Sequence, residues 1–467
     1  MNKILFSSIA IIFSALPIFS AARFPFPQNT TNSYGIQPNG ALSEDVQQSY
    51  EVFIKNYYEE RGDLARIKWN DSTKTVSEGI AYGMLATVYM DNSKNNTQSK
   101  FDKLWKYYNS FLNNRGLMNW KIRGYDSIAE LNAASDAELD AAVALLMAYQ
   151  QWGEDHYLAD AKILTGKIWK YEINRKKYLK PGDAWDDKKN PSYFSIVAFK
   201  LFREFDTVND WAAVIRNSYV LIKASQDSIT GLVPDWCSES GDDLETNFSY
   251  DAIRTPWRMA WAYAWFGDKE AKEIAGKMAG WISKETKGNP SEIGNGYQLD
   301  GKRISNFNSA TFVSCFACAG IVDTTYQSWC DTAYSKLKSF SGNDGYFSES
   351  LQVLTMLLMS GNMPLLGSSS AVYSIPNQHA QSDYNVTFGV HNNLLSFKYS
   401  LARSSNITLA IYNSAGQKVI DLYSGYCKQG TYTTTLNSNQ IKTATGMLLV
   451  RLVTPSQISV CPFFNVR

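Results

Sequence analysis

From residue 41 to about residue 366, apolar positions recur with a helical period, segment after segment. The clearest runs are 51–60, 80–90, 101–112, 140–152, 159–171, 195–205, 211–223, 253–265, 269–283 and 349–359. Two kinds alternate. Runs 80–90 and 140–152 are apolar on every face, as buried helices are, whereas 101–112 and 159–171 carry Lys and Asp along one side, as surface helices do. Buried then amphipathic, repeated without convincing strands, predicts an all-α unit in which a ring of inner helices is wrapped by outer ones. Six such hairpins at about 55 residues each would use this length.

The pattern changes after residue 366. Residues 367–383 (GSSSAVYSIPNQHAQSD) are polar and Ser-rich with Pro376, the composition of a linker. Beyond them the period drops to two: LLSFKYSL, ITLAIY, GQKVIDLY, TYTTTL and MLLVRLV alternate and are separated by turn sequences such as Asn413-Ser414-Ala415-Gly416. Residues 384–467 therefore read as a small β-sandwich. The organisation expected is a leader over 1–22, a helical unit over 23–366, a linker over 367–383 and a β-unit over 384–467.

Three of the apolar runs carry an acidic residue at their head: Glu78 in TVSEGIAYGM, Asp136 in ASDAELDAAVALLMAYQQW and Asp251 in YDAIRTPWR. A parallel inner ring brings its helix starts together at one end, so three carboxylates distant in sequence would meet there. Glu78 and Asp251 also have simpler readings, while a box at Ser135 makes Glu138 structural and leaves Asp136 free to face the mouth. Thr75 and Glu78 fit a capping box, as do Ser135 and Glu138, and Asp251 could be an N-cap paired with Arg254. Two glycines in the first helix, Gly79 and Gly83, cost it stability and point to close approach of another group. Asp140, one turn further into a buried helix, needs a partner, and Arg258 lies near enough in sequence to Arg254 to serve the same network.

Composition narrows the chemistry. Of 467 residues, 45% are hydrophobic and 19% charged, and 45 basic residues balance 44 acidic ones, which gives no case for a nucleic-acid surface. Three histidines (His156, His379, His391) are too scattered for much imidazole chemistry, and no HExxH, zinc-type His/Cys spacing, GxSxG or phosphate loop occurs. Carboxylate chemistry is left as the main option. Aromatic content is 14%, and Trp120, Trp185, Tyr193 and Trp236 stand in Gly/Pro/Asn-rich loops, where flat rings can stack on sugars.

Residues 1–22 (MNKILFSSIAIIFSALPIFSAA) have a Lys, a short apolar run and small residues, which reads as a cleavable secretory signal. Export favours disulfides among six cysteines. Cys427 and Cys461 stand alone near the C-terminus and are paired on that ground. Cys237, Cys315, Cys318 and Cys330 admit three pairings.

TVSEGIAYGM, GLMNW, ASDAELDAAVALLMAYQQW, PGDAWDDKKNPSYF, GLVPDWC and YDAIRTPWR, in this order, resemble glycoside hydrolase family 8, the endoglucanases and relatives built on an (α/α)6 barrel. The likeness runs from about residue 24 to residue 366. Around Asp136 the family pattern usually has Asp where this chain has Glu138, and Ile or Met where it has Ala141. The resemblance implies an inverting hydrolase of β-1,4-linked polysaccharide that needs no cofactor. Glu78 matches the general acid, Asp251 the general base and Asp136 the carboxylate that binds the central sugar. Tyr193, Tyr250 and Arg254 match residues around the attacking water, and Trp120 and Trp185 match stacking platforms. Inversion needs the acid and base about 6.5–9.5 Å apart, with room for a water.

Cellulose or mixed-linkage β-glucan is the substrate that the resemblance favours, with an endo-xylanase as runner-up. A catalytically silent polysaccharide-binding protein would keep the aromatics and lose an acid or base, and all three carboxylates are present. A polysaccharide lyase would want a Tyr, His or Lys base and a basic cleft. The last 80 or so residues are similar to C-terminal sorting domains of secreted bacterial proteins, which would make secretion or cell-surface machinery a partner and the outer surface of a bacterium the destination. A carbohydrate-binding sandwich is the alternative.

Overall fold

The computed structural model describes residues 21–242, 245–367, 384–391, 394–401, 403–413, 417–441, 446–454 and 458–465. The expected signal over 1–22 lies almost wholly outside these, and so does the expected linker apart from Gly367.

Twelve α-helices account for most of the first part: α1 Ser43–Tyr57, α2 Ser77–Tyr89, α3 Gln98–Ser110, α4 Ser135–Trp152, α5 Asp155–Glu172, α6 Ile196–Phe205, α7 Trp211–Ser225, α8 Arg254–Phe266, α9 Lys269–Glu285, α10 Ala310–Ala319, α11 Gln327–Leu337 and α12 Tyr346–Met359. The even-numbered helices pack side by side in the order α2, α4, α6, α8, α10, α12, and α12 returns to α2. Each odd-numbered helix backs one of them: α3 on α2, α5 on α4, α7 on α6, α9 on α8, α11 on α10 and α1 on α12. Burial explains the sorting. Every residue of α10 and nearly every residue of α2, α4 and α12 is buried, while α3, α9 and α1 bury one stripe and wet the other. One apolar core runs from Phe26 to Leu366.

Three features differ from the sequence reading. Helix α1 stops at Tyr57 because 58–61 turns into a strand, Tyr58–Arg61, paired antiparallel with Leu64–Ile67. Other short strands also punctuate the loops, notably Lys74–Val76, Lys121–Arg123 and Ser127–Glu130, which form one small sheet leading into α2. Helices α10 and α11 lie outside the helical runs that periodicity predicts, and they carry Cys315, Cys318 and Cys330, which the sequence assigns to disulfides. Those disulfides are absent: Cys237, Cys315, Cys318 and Cys330 are buried free thiols. A fully enclosed thiol behaves as a small apolar group and needs no partner. Cys427 is also free, and the side chain of its expected partner Cys461 lies outside the described residues.

The last part is all-β. A four-stranded sheet runs Lys418–Cys427, Ser405–Asn413, Gly446–Val453, Ile458–Asn465, and a three-stranded sheet runs Gly430–Asn437, Leu394–Leu401, Tyr384–His391, with every neighbour antiparallel. Alternate residues of these strands, including Phe397, Leu409, Ile411, Val450 and Leu452, form a second core distinct from the first.

Candidate active site

The six inner helices start at one end, and residues at all six starts line a cavity of about 440 Å³. Ser77 and Glu78 come from α2, Asp136 from α4, Tyr193 from just before α6, Asp251 from the turn before α8 and Arg254 from its first residue, Ser309 from before α10, and Tyr346 and Phe347 from α12. Glu78 and Asp136 occupy the same place, the second residue, on α2 and α4.

Neither is a cap. Thr75 lies in the strand before α2, where its hydroxyl donates to the Ile67 carbonyl at 3.0 Å. Ser135 donates to the Lys180 carbonyl at 2.7 Å, and Glu138 is enclosed and accepts from the Tyr108 hydroxyl at 3.0 Å. The capping boxes expected from spacing are thus not formed, because tertiary partners claim both hydroxyls. Asp251 does not pair with Arg254 either. The guanidinium turns inward instead, and its Nη1 donates to Glu78 Oε2 at 2.6 Å and to Asp136 Oδ2. Its Cζ lies over the Tyr193 ring, 4.8 Å from the centroid. One turn deeper, Arg258 makes the two-pronged pair with Asp140, both bonds 2.8 Å, that the buried Asp140 required.

The remaining Glu78 oxygen accepts from the Tyr346 hydroxyl at 2.6 Å. Gly79 makes room for that ring, since a methyl there would stand 3.0 Å from Tyr346 Cε2. Burial pushes the Glu78 carboxyl up to about 7; Arg254 opposes this, and the neighbouring Asp136 adds to it. Asp136 is also raised by burial, again against the pull of Arg254.

Asp251 is held differently. Trp236 Nε1 donates to its Oδ2 at 3.0 Å, and the Ser192 hydroxyl donates to its backbone carbonyl. Asp235 fixes the turn around it by accepting from the amides of Ser249 and Ala252, each at 2.8 Å. Trp236, a candidate stacking ring, is therefore a hydrogen-bond donor to the carboxylate. Asp251 Oδ1 accepts no hydrogen bond among the described residues.

The other expected residues divide. Trp120 and Tyr250 line the cavity, and the Tyr250 hydroxyl accepts from Asn295 Nδ2 at 2.8 Å. Trp185 does not line it. The residue is 39% exposed, and its ring covers Gly182, which bridges to Ala134 at the cavity edge. Sequence reasoning missed Trp69, Phe307, Tyr346 and Phe347, all of which line the cavity. Tyr346 and Phe347 precede the apolar run that periodicity marks from residue 349, although α12 begins at Tyr346. The shift from NDG to an aromatic pair was the available signal.

Known proteins place these features in a lineage. The sequence profile of glycosyl hydrolases family 8 matches residues 28–361. Endoglucanase 2 of Ruminiclostridium josui is 36% identical over 405 residues, covering 81% of this chain and 85% of that protein. A beta-glucanase of Niallia circulans is 33% identical, covering 74% and 92%. Among solved structures, the beta-1,3-1,4-glucanase from Paenibacillus sp. X4 superposes with a TM-score of 0.67 at 30% identity, covering 72% of this chain and 98% of that one. Rex8A from Paenibacillus barcinonensis, solved with xylose, superposes at 0.60 with 18% identity over 70% and 94%, a likeness of fold alone. This family and these neighbours imply an (α/α)6 barrel for the ring of helices. A profile match over most of the helical part, and relatives alike over most of their own length, make this chain a member of glycosyl hydrolases family 8 and the protein a glycoside hydrolase.

Proposed function

We propose that the protein is an exported, inverting endo-β-1,4-glucanase that hydrolyses cellulose or mixed-linkage β-glucan on an (α/α)6 barrel spanning residues 23–366. The endoglucanase and beta-glucanase names of its relatives support the activity. The observation that carries the mechanism is the contrast between two carboxyls in one cavity. Glu78 is buried with its carboxyl pushed up to about 7, so it holds a proton at mildly acid pH. Asp251 is tied by one oxygen to an indole N–H and turns the other toward the cavity.

Glu78 gives its proton to the glycosidic oxygen as the bond from that oxygen to the anomeric carbon breaks. Asp251, through Oδ1, takes a proton from a water that attacks the anomeric carbon from the opposite face. The new hemiacetal hydroxyl comes from that water, and solvent returns the proton from Asp251 to Glu78 between turnovers. Asp136, held by Arg254, is placed to bind hydroxyls of the central sugar, and Trp120 and Tyr250 offer apolar faces to its neighbours. Leader residues 1–22 direct export, and residues 384–467 serve as a sorting or accessory β-sandwich at the outer surface.

Product analysis on cellulose, lichenan, xylan and chitosan tests this, with the fresh reducing end followed by NMR. The expected result is a rapid viscosity loss on β-glucan and an α-anomer formed first. A β-anomer would remove inversion, turnover confined to xylan would transfer the activity to the runner-up, and unsaturated ends would indicate elimination.

A further inference from the structure

Lys121 begins the middle strand of the small sheet that runs into α2, paired with Val76, two residues before Glu78. Its side chain is only 13% exposed and has one ion-pair partner, Glu130 at 2.7 Å. The ammonium stands 4.8 Å from the ring centroid of Trp69 and 4.8 Å from that of Trp120, over both indoles. Those two tryptophans line the cavity on the Glu78 side. No direct ring contact joins them among the described residues, so the cation is what ties their orientations together. An ammonium within about 6 Å of an indole centroid is attracted to the ring, and more strongly when it is partly desolvated.

The backbone adds rigidity: Trp120 donates its amide to Asn132 and accepts from the amide of Ser77, the residue before Glu78, and Trp69 is tied to Lys74. The positions of both rings are thus referred to the same strand that sets Glu78. We infer that Lys121 is a positioning residue that presets Trp69 and Trp120 as a two-ring platform for successive pyranose faces, with Trp69 a further sugar-binding residue. A preset pair spares the substrate the cost of ordering two flexible indoles, so the gain belongs to binding and not to the chemical step. The inference rests on the glycan-cleaving reading above, and its test is scored on whichever β-1,4-polymer the wild type turns over.

Full-length K121M, K121Q, K121R, W69A and the double variant K121M/W69A are compared with wild type in steady-state kinetics. Binding of unlabelled cello-oligosaccharides to an E78Q background is followed by tryptophan fluorescence. K121M and K121Q should raise KM about five- to tenfold with kcat within twofold, and K121R should restore KM to within twofold. W69A should raise KM similarly, and the double variant should raise it by less than the product of the two single effects, since the lysine acts in part through that ring and in part through Trp120. A wild-type KM in both K121M and K121Q would overturn the inference, as would a loss confined to kcat or KM effects that multiply in the double variant. If K121M does not fold, K121Q and K121R decide. If the wild type cleaves no polymer, the glucanase reading fails by itself. The fluorescence titration of Lys121 variants in the E78Q background still scores the platform by a five- to tenfold weakening or its absence.

Discussion

A single nitrogen, Nη1 of Arg254, donates to both Glu78 and Asp136; burial raises both carboxyls, the guanidinium pulls both down, and Asp136 pushes Glu78 further up. Opposite perturbations should therefore move the alkaline limb of the kcat/KM profile in opposite directions. Removing the cation in R254M should carry it above 7, because Arg254 pulls the Glu78 carboxyl down. Removing the anion in D136N should carry it below 7, because Asp136 pushes it up. Limbs that stay put would detach that pH dependence from Glu78. The same burial has a cost in stability. The Glu78 carboxyl rises from 4.5 to about 7 on folding, so the folded state binds more protons than the unfolded state across that window. Its contribution is most favourable below about 4.5 and declines as pH climbs through 7, by about 3 kcal/mol in total. E78Q has nothing to titrate there. Its Tm relative to wild type should climb between pH 4.5 and 7, while kcat drops about 10²- to 10⁴-fold.

Helix α2 shows how an element can be shaped by what must pass it. A methyl at Gly79 would meet Tyr346 Cε2 at 3.0 Å and its hydroxyl oxygen at 3.2 Å; one at Gly83 would meet Ile67 Cγ1 at 2.8 Å and Leu104 Cδ1 at 3.0 Å. The two positions are four residues apart on one helix, yet substitution should read out differently. G79A displaces the ring that bonds Glu78 and should lower kcat about tenfold with a modest change in Tm. G83A overpacks the seam with α3 and the strand at Ile67, and should cost about 1–3 kcal/mol, less the roughly 1 kcal/mol that alanine contributes to a helix, with kcat of the folded enzyme retained. Kinetics and thermal melts of both variants separate these outcomes. At this scale spacing misled where partners lay far away in the chain. Thr75–Glu78 and Ser135–Glu138 have the spacing of capping boxes, but Ile67, Lys180, Tyr108 and Tyr346 compete for their polar atoms and win.

Across the helical part, which is most of the molecule, stability rests on packing and not on disulfides. Cys237, Cys315, Cys318 and Cys330 are enclosed free thiols, and burial raises all four, so they are protonated and inert at neutral pH. Reductant should leave the Tm of the helical part unchanged within about 1 °C. A disulfide there, worth about 2–4 kcal/mol, would shift it by several degrees. Thiol titration in denaturant, with no reductant added, should find at least these four. The alternation of all-apolar and one-faced runs was enough to announce inner and outer helices, and the switch to period two announced the strands, because both depend on local burial that composition records directly. It did not announce α10 and α11, whose cysteines resemble a covalent framework until the helix encloses them.

Residue order alone determined which segments would be buried, which would face water, and that Glu78, Asp136 and Asp251 would stand at or near helix starts, since periodicity and helix-start position are properties of neighbouring residues. Only the closed packing of α2, α4, α6, α8, α10 and α12 decided that those starts share one cavity, that Arg254 joins Glu78 to Asp136 instead of Asp251, and that Trp236 and Tyr346 hold the two carboxyls proposed as base and acid. Those contacts span up to 268 residues of chain. A hydrogen bond between atoms so far apart in sequence leaves no local pattern, because what selects the partner is three-dimensional proximity and the cost of leaving a buried charge unpaired.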